Sequence, residues 1–236
     1  MSAANHLRMA LGGIDGKGLT AQFLANPEAV TTVAENCERL ALWTNALRVA
    51  DPDNQAAPFL LEMQRSSHDV AALLALALYV PAAAAMRASC ETALYYTYFR
   101  SHLAELTTLA TKADYYISKA EILAFHEIHS SSYRHASRDF GFPGALNSWY
   151  SSVSRIVHGQ LPGRWGRRLA LEDTKHDQSI LKAALETFTK GVQVTHTLLL
   201  LTAGAELWGR VHHEAKKALL KGIPAPQRAV LGLDGK

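Results

Sequence analysis

The chain has 236 residues, 48% of them hydrophobic, with 24 Lys and Arg against 21 Asp and Glu for a formal net charge of +3. That hydrophobic share excludes disorder over most of the length, and so small a charge excess excludes reading the whole surface as a nucleic-acid platform. Cys37 and Cys90 are the only cysteines; two are too few for a disulfide framework or a thiolate zinc site, and they fit a reducing cytoplasm.

Residues 1–25 read as a flexible lead-in, because no strand precedes the glycine-rich GGIDGKG and no apolar stretch reaches secretory length. At Asn26 the pattern becomes helical. Asn26 is a plausible cap, with Pro27 in the first turn and Glu28 beside it. Val30, Val33, Cys37, Leu40, Ala41, Trp43, Thr44 and Leu47 then follow roughly the helical period. The DPDN at 51–54 breaks the pattern. A second helix is expected from about Ala57 to Tyr79. Pro81, which lacks an amide proton, then kinks or restarts the chain. A third helix is expected from about Ala82 to Leu103, and a fourth from about Thr107 to Ser130. The most apolar stretch, Val70 to Met86, contains Pro81 and falls short of the ~20 residues that span a bilayer, so it reads as a core helix and no membrane contact is expected. DFGFPG at 139–144 signals a turn. Asn147 to His158 reads as a short helix, GQLPGRWG as a loop, and Asp177 to Leu220 as one long helix. Residues 222–236 read as an exposed tail. Sustained alternation is absent, so no sheet is expected. The fold class is all-α: a bundle of five or six helices over residues 26–221.

The chemistry concentrates in SSVSRIVHGQLPGRWGRR, residues 151–168. On a helix Ser151, Ser154 and His158 share a face, and Arg155 shares an edge with His158. Arginine grips phosphate oxygens with a planar fork, and histidine moves protons near neutral pH. Gly159 lets the chain leave the helix in a left-handed conformation. A plainer reading is that Arg155 and His158 complement the dipole at a helix C-terminus. Earlier, Arg87 and Glu91 stand at i, i+4 on a strongly apolar helix. Charged groups there need partners: either they pair with each other, or the polar spot faces Ser154 and His158. In the loop, Arg164, Trp165, Arg167 and Arg168 can hold a phosphate chain with one stacked base. Equally, Trp165 can fold back over the bundle and leave the arginines in water. His126 and His129 stand at i, i+3, not the i, i+4 of zinc proteases, so the expected metal set is none. No P-loop, dinucleotide fingerprint or nucleophile elbow occurs, and no cofactor is expected.

An apolar helix carrying R-x-x-x-E (Arg87, Glu91), followed by Y-x-x-x-S-x-x-x-H-G (Tyr150, Ser154, His158, Gly159), resembles bacterial HEPN-like (higher eukaryotes and prokaryotes nucleotide-binding) families. The resemblance spans about residues 30–205 but rests on these few positions. It implies a compact helical bundle that pairs as a homodimer, in a toxin, antiphage or CRISPR-associated setting. Active members are metal-independent RNases whose arginine precedes the histidine by four to six intervening residues. Here Arg155 and His158 are separated by two, so the resemblance leaves Arg87, on another helix, to supply the guanidinium. It implies His158 as the proton-transfer group, Arg155 or Arg87 on the phosphate, Ser154 bonding substrate or histidine, and Glu91 orienting Arg87. The alternative is a non-catalytic adaptor or subunit of a defence complex, with the same residues forming a polar network between two helices.

Overall fold

The computed structural model describes residues 1–130, 133–166 and 170–233, and among these the regular structure is entirely helical. Two short helices, α1 (Ala3–Gly12) and α2 (Gly16–Leu24), lead into α3 (Pro27–Ala50), α4 (Ala57–Ala75) and α5 (Tyr79–Phe99). Next come α6 (Leu103–Thr111), α7 (Lys119–His129), α8 (Tyr133–Asp139), α9 (Phe142–Val157) and α10 (Gln178–Leu199). A π-helical turn, Leu200–Gly204, joins α10 to the single turn α11 (Ala205–Leu207), and α12 (His213–Leu219) and α13 (Ala225–Val230) follow. The all-α class is as expected, but the bundle has more and shorter pieces than five or six helices.

Helix α5 lies at the centre, packed against α4, α7, α9 and α10. Its small residues Ala82, Ala83 and Ala93 are fully buried, which lets neighbouring backbones approach. Trp43, Leu60, Met63, Tyr96, Phe99 and Phe188 fill the space between helices. Buried hydroxyls fix the helix register: Thr44 donates to the Leu60 carbonyl and Ser89 to the Met63 carbonyl, both at 3.0 Å. The start of α3 is as the sequence predicts, with Asn26 Oδ1 accepting from the Ala29 amide at 3.1 Å and Pro27 in the first turn.

Five features differ from expectation. The break between the second and third predicted helices falls before Pro81, not at it. Leu78 and Ala77 donate to the Leu73 and Leu74 carbonyls at 2.8 and 3.1 Å, closing α4 with a Schellman turn whose left-handed residue is Ala77, φ +56°. Pro81 then sits in the first turn of α5, where no intrahelical donor is required. The predicted fourth helix is split into α6 and α7. The expected lead-in is helical, started by Ser2 and Asp15 side chains that accept from Asn5 and Gly18, and it buries Leu19 and Phe23. The expected exposed tail also docks, burying Ile223, Leu231 and Leu233. The predicted long last helix is interrupted at Leu200–Gly204, where Thr202 leaves helical geometry (φ −121°, ψ −108°). Leu198 to Leu201 are core residues. Among the described residues no helix is long and apolar enough to cross a membrane.

Candidate functional site

Helix α9 places the site. Its apolar residues Phe142, Leu146, Trp149, Val153 and Ile156 recur at helical spacing and are all buried. Trp149 locks the helix to α10: its indole donates to the Thr187 carbonyl at 2.8 Å, and a Cβ on Gly191 would lie 2.5 Å from its ring. With that face fixed inward, Tyr150, Ser154 and His158 form a second row at i, i+4, i+8 along the edge next to α5. The helix then ends in another Schellman turn. Gly159, at φ +66°, donates to Ile156 at 3.1 Å, and Gln160 donates to Arg155 at 2.9 Å. His158 is thereby the last residue before the chain turns away, and its side chain is exposed.

Arg87 crosses from α5 to meet it. Its Nη1 lies 2.8 Å from His158 Nε2, and its Nε donates to Glu91 Oε1 at 2.9 Å. A guanidinium only donates, so Nε2 is the acceptor and the imidazole proton sits on Nδ1. Tyr150 donates its hydroxyl to the same Glu91 oxygen, and the Arg87 guanidinium lies 5.0 Å from the Tyr150 ring centroid. Burial alone would lower the Arg87 pKa. The hydrogen bond and charge of Glu91, helped by Tyr150, outweigh it, and the pKa is raised. Burial, then the Glu91 carboxylate, pushes the Tyr150 phenol up to about 12, so it stays a donor.

A second cation approaches from α7. Lys119 Nζ lies 4.6 Å from the Tyr150 ring centroid and donates to Asn147 Oδ1 at 2.6 Å. No carboxylate pairs with it among the described residues. The centre thus combines Arg87, Lys119 and the imidazole with a single carboxylate, at an edge open to water. Such an arrangement suits an anionic ligand.

Of the predicted residues, Arg87, Glu91 and His158 meet as one cluster joining α5 and α9. Arg155 stands exposed one helical step away, outside the hydrogen-bonded group. Ser154 Oγ is buried and makes no hydrogen bond to His158. Trp165 is 3% exposed and folded into the bundle, so it is not a platform for a base. The apolar indole gains more from the core than from water. Arg164 is exposed on the same loop, while Arg167 and Arg168 lie outside the described residues. His126 is buried with both nitrogens engaged, Nδ1 at 2.9 Å from Ser130 Oγ and Nε2 at 3.0 Å from Thr97 Oγ1, so it is not free to act with His129. Among the described residues no group of three His, Cys, Asp or Glu side chains is placed to hold a metal ion.

Two contributors are missing from the expected site residues. Tyr150 is visible in the sequence as the first member of the Y-x-x-x-S-x-x-x-H row, but its link to Glu91 requires the packed helices. Lys119 leaves only an indirect signal. The segment SKAE forms a capping box, with Ser118 and Glu121 bonded reciprocally at 3.2 and 2.8 Å, which fixes Lys119 in the first turn of α7. Nothing local says that this turn faces α9. No protein-family model, curated protein or solved structure matches the chain.

Proposed function

We propose that the Arg87–His158 centre acts on the phosphodiester backbone of RNA, as a metal-independent endoribonuclease of HEPN-like type in a bacterial defence or toxin-type system. One observation carries this reading: the 2.8 Å contact between Arg87 Nη1 and His158 Nε2 at an exposed edge, which brings an arginine fork and a proton-transfer group together despite their separation in sequence. A phosphate bound by Arg87 draws the guanidinium away from Nε2 and frees that lone pair for a proton. His158 takes the proton of the ribose 2′-hydroxyl as its oxygen attacks phosphorus. The bond to the 5′-oxygen breaks, and that oxygen takes a proton from solvent. Glu91 and Tyr150 orient Arg87. Arg155 and Arg164 lie free to meet flanking phosphates. In this reading the protein works in the cytoplasm as a homodimer, and a monomer by light scattering at micromolar concentration counts against the pairing.

A second reading is favoured by the closure of the network. Glu91 engages both Arg87 and Tyr150, so the cluster can serve as a polar tie between α5 and α9 in a non-catalytic adaptor of a larger defence complex. His158→Ala separates the two. If the site is catalytic, cleavage of RNA falls by ~100-fold or more. It persists in chelator in the wild type, and the melting temperature holds because His158 is exposed. The adaptor reading instead expects no cleavage by the wild type and a variant destabilised by roughly 1–3 kcal/mol.

A further inference from the structure

Lys119 is a half-buried cation with no carboxylate partner among the described residues, unlike Arg87 a short distance away. Its ammonium is held by the Asn147 carbonyl oxygen and by the face of Tyr150, both neutral groups. The buried Cys90 thiol beside it supplies no counter-charge, since burial pushes that thiol up to about 12. Burial also lowers the Lys119 pKa. A cation in this state gains from a bound anion, which restores the charge balance lost with water. The position matters as much as the charge. Arg87 and Lys119 lie 5.0 and 4.6 Å from the centroid of the same tyrosine ring, so their separation cannot exceed the sum of the two. Yet they sit on different helices and share no hydrogen-bond partner. They form two grips, close enough for neighbouring phosphates of one strand. With two cations on its ring and its hydroxyl given to Glu91, Tyr150 is a spacer between them and does not stack a base.

We infer that Lys119 holds the phosphate next to the one gripped by Arg87 and His158, so that the site grips a single-stranded polynucleotide, laid across Tyr150, at two phosphates where a mononucleotide offers it one. This rests on the proposed action on RNA, but its test reads binding and not cleavage. The probe is a fluorescent 2′-O-methyl oligoribonucleotide, which has no 2′-hydroxyl to attack, titrated against the full chain over a range of salt concentrations. Each phosphate contact on a single strand contributes about 0.7 to the slope of log affinity against log salt. Lys119→Gln, which keeps a donor for Asn147, is expected to lose about 0.7 from that slope, and Lys119→Arg to keep it. Binding of a nucleoside 3′-monophosphate should weaken far less in Lys119→Gln than binding of the oligonucleotide does. An unchanged slope in Lys119→Gln overturns the inference. So does a wild type that does not bind the oligonucleotide, or equal loss of mononucleotide binding. The two claims fail separately. A lost slope with no detectable RNA cleavage keeps the two-phosphate site and removes the nuclease, whereas cleavage that depends on His158 with an unchanged slope does the reverse.

Discussion

Two buried histidines should make this fold sensitive to mild acid. His126 lies between Thr97 and Ser130, and burial, reinforced by the charges of Arg100 and His102, pushes its pKa down to about 4. His196 accepts from the Trp43 indole at Nδ1, 2.8 Å away, and its Nε2 is buried without a partner among the described residues. Burial, with a smaller contribution from Arg39, pushes it down to about 3. Both folded values lie below the ~6.5 of an unfolded histidine, so the unfolded chain takes up protons first as pH falls. The stabilisation is complete above that unfolded value and drains away below it, until pH passes through the folded values. Each histidine contributes a slope of about 1.4 kcal/mol per pH unit in that window. At pH 4.5 the two together cost roughly 5 kcal/mol, comparable with the whole stability of many domains. Protonating His196 Nδ1 would also set two donors head to head with Trp43. Urea unfolding followed by circular dichroism from pH 7.5 to 4.5 measures the effect. His126→Asn and His196→Asn should each reduce the slope by about half. Stability that stays flat between pH 6.5 and 4.5, or a slope undiminished in either variant, would refute the reasoning.

Two further substitutions probe features described above. Ala77→Gly removes a Cβ from a left-handed position, φ +56°; the relief of about 1–2 kcal/mol exceeds the ~0.5–1 kcal/mol that glycine costs in unfolded-chain entropy. The melting temperature should therefore rise slightly, and a fall would show that Ala77 is not strained. Trp165→Ala should cost about 3–5 kcal/mol in urea unfolding, as expected for a buried indole. A change in RNA binding with stability intact would return Trp165 to the surface.

The start of α3 was legible because Asn26 and Pro27 act within a single turn. The approach of Arg87 to His158 was partly legible too. Two charges on an otherwise apolar helix must be aimed at something polar, and the row Tyr150, Ser154, His158 offered it. Neither inference needs the rest of the fold. The α4–α5 boundary was not legible, because Ala77 occupies a conformation that its side chain disfavours while the more visible breaker, Pro81, fits harmlessly into a first turn. Trp165 had two readings because a tryptophan in a glycine-rich loop has no periodicity to assign it a side. Lys119 escaped notice for a different reason: its importance comes from α7 meeting α9, a tertiary pairing that no spacing within either helix encodes. The lead-in misled through its glycines, since the Asp15 side chain caps the very segment they suggested was loose.

The turn at Leu200–Gly204 redirects the chain through a kink at Thr202. A helix advances about 100° per residue, and the kink at Thr202, which leaves helical geometry, breaks that advance between α10 and the residues that follow. Leu207, Trp208 and Val211, just downstream, are all buried. If α10 ran on without the kink, these side chains would swing round the axis and present a different edge to the bundle. The placement of Leu207 and Trp208, which run directly on from that turn, therefore depends on one local irregularity. Single-residue insertions or deletions should be far less tolerable there than at the Asp51–Asn54 break, where no rotational phase is carried forward.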